Sequence, residues 1–210
     1  GELQAYTDDT ANVRVAGGNL IITALRNGNN FSSARLKTYG LMDFKYGRIE
    51  ARIKLPDIKD GVWPAFWLMG NNFGSAGWPY CGEIDILEAG MASAIASGKT
   101  NKTVLSAAHW WHETGTWDPN WLHATHSTEK ELSSDLYNGY HVFGLNWTPT
   151  DLEIYIDDPN NPHFTMGITG AELSELKDNP MFILLNLAVG GTNFVQITDP
   201  AQITAPFPAE

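Results

Sequence analysis

The stretch Cys81-Gly82-Glu83-Ile84-Asp85-Ile86-Leu87-Glu88 constrains this chain more than any other. Ile84 and Ile86 alternate with Glu83 and Asp85, the period of a β-strand with one apolar and one acidic face. Glu88 breaks the alternation. A regular strand would turn it inward beside Ile84 and Ile86, an unpaired carboxylate in an apolar core, which is costly. One extra residue bulged out near Ile86 or Leu87 returns Glu88 to the acidic face. Bulges recur beside active sites because they re-aim a side chain.

The strand thus predicts three carboxylates, Glu83, Asp85 and Glu88, on one face. With the bulge, the Cα atoms of Glu83 and Glu88 lie roughly 13 Å apart at ~3.3 Å per residue. Side chains leaning toward each other narrow the carboxyl gap to roughly 5–6 Å. That is near the ~5–5.5 Å of a retaining glycosidase pair and short of the gap an inverting enzyme leaves for water. Two blander readings compete. A solvated acidic edge strand is at odds with the apolar flanks and the surrounding tryptophans. A calcium site would use alternating carboxylates, but no aspartate-rich or glycine-punctuated loop follows. No metal ligands are therefore assigned.

A chain of 210 residues that is 43% hydrophobic can bury one substantial core, so residues 1–210 read as a single domain. Twenty glycines, eleven prolines and 11% aromatic residues favour an all-β fold with many turns. The formal net charge of −11 argues against nucleic acid or an anionic membrane surface as partner and permits a neutral substrate. No apolar run approaches the length of a membrane span. Cys81 is the only cysteine, which excludes an intrachain disulfide and reads as a small packing residue. No signal peptide is recognisable, so the start reads as a mature or trimmed end. Asn30, Asn101 and Asn146 open N-glycosylation triplets, compatible with secretion.

Several further stretches read as strands. A short strand at 12–15, a turn at Gly17-Gly18, a strand at 20–25, a turn at 27–30 and a strand at 33–37 come first. Residues 47–55 alternate cleanly, with Ile49, Ala51, Ile53 and Leu55 facing a core and Arg48, Glu50, Arg52 and Lys54 facing out. In the aromatic strand from 63 to 69, Trp63, Ala65 and Trp67 share a face. Residues 93–102 read as an exposed loop. A strand at 104–111 carries His109. His112, His123 and His126 follow at spacings that match no zinc motif, within a loop taken to span 112–136. Residues 140–147 and 152–157 form a hairpin around Thr148-Pro149-Thr150. Thr169 and Glu172 make a capping-box pattern for a short helix at 170–177, which Pro180 ends. Residues 181–189 are almost all apolar and read as a strand buried on both faces, with Asn186 a buried amide in need of partners.

Glu83-Ile84-Asp85-Ile86-Leu87-Glu88 resembles the signature of glycoside hydrolase family 16 in its bulged, laminarinase-like form. Trp63-Pro64-Ala65-Phe66-Trp67, Trp78-Pro79 and Asn186-Leu187-Ala188-Val189-Gly190-Gly191 carry the same resemblance, which runs from Glu2-Leu3-Gln4 to Phe207-Pro208. It implies a concanavalin A-like jelly roll: a β-sandwich of two curved antiparallel sheets with an open concave cleft. It implies an endo-acting, retaining hydrolase of β-1,3-glucan, with mixed-linkage β-1,3-1,4-glucan as a second substrate, working outside the cell as a monomer. Glu83 would be the nucleophile, Glu88 the acid/base and Asp85 the residue that orients Glu83. Negative charge on Glu83 and Asp85 would raise the pKa of Glu88. Glu50 and Arg52 would line the cleft. Trp67, Trp78 and Trp63 would stack on sugar rings, and His109 and Asn186 would contact them. No cofactor is implied for catalysis. Family members usually add a first and a last strand that this sequence does not show. Those strands contribute to a calcium site on the convex face, which puts that calcium in doubt here. The resemblance also admits a glucan-binding module without activity, or a cell-wall transglycosylase.

Overall fold

The computed structural model describes residues 1–112 and 123–210. Short strands open the chain: β1 (Gln4–Tyr6), β2 (Val13–Ala16), β3 (Asn19–Ile22), β4 (Leu25–Asn27), β5 (Asn30–Ser33) and β6 (Arg35–Lys37). Longer ones follow: β7 (Gly47–Ile53), β8 (Val62–Gly70), β9 (Glu83–Glu88), β10 (Thr103–Trp111) and β11 (His123–Glu131). The last four are β12 (His141–Trp147), β13 (Asp151–Ile156), β14 (Phe164–Gly167) and β15 (Met181–Val189). Two antiparallel sheets carry the fold. One is ordered β11-β10-β9-β8-β15-β6, the other β14-β13-β12-β7. Smaller sheets pair β1, β5 and β4, and β2 with β3.

The two large sheets pack face to face as the β-sandwich that the resemblance implies. Phe66, Leu68, Ile84, Ile86, Leu87, Val104 and Ala108 of the six-stranded sheet meet Phe143, Leu145, Trp147, Leu152 and Ile154 of the four-stranded one. All are fully or almost fully buried, and a large apolar side chain so placed is worth about 1.5–3 kcal/mol. The opposite face of the six-stranded sheet is the cleft face. Gly90 lets the chain leave β9: its φ is +98°, and a Cβ there would sit 2.2 Å from the Val62 carbonyl oxygen.

The turn at 27–30, the hairpin around 148–150, the nine-residue β15 and the short helical segment at 171–178 lie where the sequence puts them. Four details differ. The strand at 20–25 is broken, because Ala24 leaves β2 to bridge Ala209. Residues 93–102 hold a helical turn, Ala92–Ala96, built on small residues, and a second tight turn at Thr100–Lys102. No side chain caps the helical segment at 171; Gly170 takes that position. His123 and His126 lie in β11, not in a loop. This edge strand pairs along all of β10 but is mostly exposed, so its residues are polar and resemble a loop. The rest of the expected 112–136 loop falls partly in residues 113–122, outside the described residues.

Candidate active site

The acid-bearing strand is β9, and it contains the bulge. Toward β8, Trp67 pairs with Asp85 and Phe66 with Leu87, which leaves Ile86 as the extra residue. Ile84, Ile86 and Leu87 all point into the core, and Glu83, Asp85 and Glu88 all reach the cleft face. Strand pairing then lays the cleft out in rows. Arg35 (β6), Asn186 (β15), Ala65 (β8) and Glu88 (β9) share one row. Leu184, Trp67, Asp85 and Ala107 make the next, and Phe182, Met69, Glu83 and His109 the third. Ala65 is small, so the floor is low between Asn186 and Glu88.

Each side chain is held by neighbours. Trp63 Nε1 donates to Glu88 Oε1 at 3.0 Å, and its ring stacks on Phe194 with centroids 4.7 Å apart. Trp67 Nε1 donates to Asn186 Oδ1 at 2.8 Å, which supplies the partner that the buried amide requires. His109 Nε2 lies 3.1 Å from Asp85 Oδ2, and its Nδ1 lies 2.8 Å from His123 Nε2. The Trp78 ring sits 4.7 Å from that of His123. Met69, Cys81, Phe182 and Leu184 form a second apolar cluster, with Trp67 and Trp78 packed against it, around the Glu83 end of the strand.

This packing sets the electrostatics. Burial pushes Glu88 up to about 8, with the charge of Asp85 as the next cause; His109 and the Trp63 indole pull the other way. Burial alone pushes Asp85 up to about 8. Burial, then Asp85, holds Glu83 well above the usual carboxylate range, opposed by His109 and a hydrogen bond from Trp78. Burial thus outweighs the neighbouring charge that the sequence suggested as the cause for Glu88. Burial, with His109 beside it, pushes His123 down to about 4, so it is neutral at neutral pH. Cys81 is fully buried and its thiol is pushed up to about 11, as expected of a packing residue.

Glu50 and Arg52 are a correction. They lie on β7, in the four-stranded sheet, with Ile49, Ala51 and Ile53 turned toward the shared core. Their side chains therefore point away from Glu83, on the far side of the molecule. Glu50 accepts from the Tyr155 hydroxyl at 2.5 Å, and the Arg52 guanidinium lies 4.1 Å from the centroid of the Tyr140 ring. Arg35 takes their place on the cleft face. It donates to Glu2 Oε1 and to the Tyr6 hydroxyl, both at 3.1 Å, and lies 5.7 Å from the centroid of Trp67. Nothing in the local pattern of 33–37 singles Arg35 out; only the pairing of β6 with β15, beside Asn186, reveals it.

Glu83, Asp85 and His109 offer oxygen and nitrogen atoms within 4.8 Å of one another, a spacing that suits a shared proton as well as a cation.

A jelly-roll β-sandwich with paired buried carboxyls under tryptophans is a fold and site of the glycoside hydrolase type. The chain belongs to glycosyl hydrolases family 16, whose model matches residues 3–199. Hydrolases of this family need no cofactor for catalysis. The chain is 34% identical to the glucan endo-1,3-beta-glucosidase of Cryptopygus antarcticus, over 92% of this chain and 71% of that protein. It is also 34% identical to the clotting factor G alpha subunit of Tachypleus tridentatus, over 90% of this chain. It spans only 26% of that subunit's length. Among solved structures, the Bacteroides ovatus mixed linkage glucan family 16 protein, in complex with a G4G4G3G product, superposes with a TM-score of 0.83. The two are 37% identical, and the match covers all of this chain and 84% of that one.

Proposed function

We propose that this chain cleaves internal bonds of a β-1,3-glucan of the laminarin type, with mixed-linkage β-1,3-1,4-glucan as a second substrate, by double displacement with retention. The observation that carries the reading is the bulge at Ile86, which turns Glu88 to the same face as Glu83 and Asp85. Glu88 holds its proton at neutral pH, as the acid that protonates the leaving glycosidic oxygen must. Glu83 attacks the anomeric carbon and forms a glycosyl ester. Glu88, now a carboxylate, takes a proton from the incoming water, whose oxygen displaces Glu83.

The nucleophile must be an anion, and the surroundings of Glu83 work through Asp85. A protonated Asp85 adds no negative charge, which removes the second largest cause of the rise at Glu83. His109 and Trp78 then favour the carboxylate. Trp67, Trp78 and Trp63 supply indole faces for pyranose rings, Asn186 and Arg35 supply polar contacts along one row, and His109 acts beside Asp85. The reading includes secretion and a monomeric state: a glucan polymer is met outside the cell. Recovery of the protein in culture medium, and its mass in solution, check those two points.

The test is reducing-sugar release from laminarin, lichenan and cellulose, with the first-formed anomer followed by proton NMR. We expect release from laminarin and from lichenan, none from cellulose, and β-anomers first. Glu83→Gln should lower kcat at least about 10³-fold with the fold intact. Full activity in that variant, or α-anomers first, would sink the assignment.

A further inference from the structure

We propose that Ser106 and His163 are positioning residues for Glu88: a hydrogen-bond chain from the four-stranded sheet holds the bulge of β9 in place. The inference rests on the reading of Glu88 as the acid/base.

Between the pairs Asp85–Ala107 and Glu88–Leu105, β9 contains two residues, Ile86 and Leu87, and β10 contains one, Ser106. A bulge disrupts the ladder locally, and a buried carbonyl must still find a donor. Ser106 is fully buried, and its Oγ donates to the Ile86 carbonyl at 2.9 Å. A serine has one proton to give. Having given it to Ile86, Ser106 accepts from His163 Nε2, which lies 2.9 Å away. That requires the His163 tautomer with its proton on Nε2. His163 is itself tied to the other sheet, because its backbone N–H donates to the Ile154 carbonyl of β13 at 2.9 Å. Burial and the charge of Lys130 push His163 down to about 4, so it is a neutral donor at neutral pH.

Neither Ser106 nor His163 contributes to the cleft face, so any effect on turnover must pass through the backbone of Ile86, two residues before Glu88. A displacement near 1 Å at a reacting group can cost about 10²-fold in rate.

Ser106→Ala should lower kcat roughly 10- to 100-fold on laminarin with KM unchanged, and Ser106→Thr, which keeps the hydroxyl, should restore most of it. Ser106→Ala combined with His163→Phe should be no slower than Ser106→Ala alone, since both break one chain. A Ser106→Ala enzyme that melts lower but turns over within about two-fold of wild type would reduce the serine to a structural role and overturn the proposal. If that variant does not fold, His163→Phe is read the same way, with a several-fold loss of kcat supporting and unchanged kcat overturning. Carbon-13 titration of the Glu88 carboxyl separates this idea from the proposed activity. Should wild type release no sugar, the activity is wrong. A shifted Glu88 midpoint in Ser106→Ala would still support the brace, and an unmoved one would end it.

Discussion

Burial of Glu88 makes its charged form costly, and the cost falls on the whole fold. Its carboxyl titrates near 4.5 when unperturbed, as in the unfolded chain, and at about 8 in the folded one. Between these values folding takes up a proton. The stability linked to Glu88 is therefore fully present below about pH 4.5 and is lost as pH rises toward 8. Asp85, also raised to about 8, acts in the same direction. Glu88→Gln keeps an oxygen for the Trp63 indole and cannot ionise. By calorimetry its Tm should equal that of wild type at about pH 4 and exceed it by several degrees at about pH 8. A gap that does not widen with pH would mean that something other than ionisation is responsible. The three carboxyls were legible in the sequence because an acid at position 88 makes no sense in a regular strand. Arg35 was not, because one arginine in a short polar strand carries no local mark of the row it will join.

At the scale of the element, alternation specifies a half-buried strand but not the sheet that receives it. Residues 47–53 would show the same pattern in either sheet, since each packs one face on the shared core. The pairing of β7 with β12 is a long-range choice, and it carried Glu50 and Arg52 away from the cleft. β11 was hidden for a related reason: an exposed edge strand needs few apolar residues. The bulge was readable because it had to reconcile a local pattern with a buried charge. This placement separates two variants that sequence alone would rank together. Arg52→Ala should leave kcat/KM on laminarin within about two-fold of wild type, as a surface substitution away from the site. Trp67→Ala, which removes an indole from the cleft and the donor to Asn186, should lower it at least about ten-fold. Equal losses from the two would put β7 back at the substrate.

The whole molecule carries a formal charge of −11, and of the three cleft carboxyls burial keeps Asp85 and Glu88 largely protonated at neutral pH. For a neutral glucan this field has nothing to steer. For a polyanion it repels at a range set by the Debye length, about 10 Å at 0.1 M salt. Laminarin should therefore be cleaved with a kcat/KM that changes less than about two-fold between roughly 20 mM and 500 mM sodium chloride. A carboxymethylated β-1,3-glucan should be cleaved more slowly at low salt and recover several-fold as salt rises. The comparison isolates long-range charge, because the backbone linkage is the same in both polymers. A deficit that salt does not relieve would locate the discrimination in contact, in the row of Arg35, Asn186 and Glu88, where a bulky substituent meets side chains directly. A strong salt effect on laminarin itself would instead show that screening reaches the carboxyls and shifts their protonation, which the burial of Glu88 and Asp85 argues against.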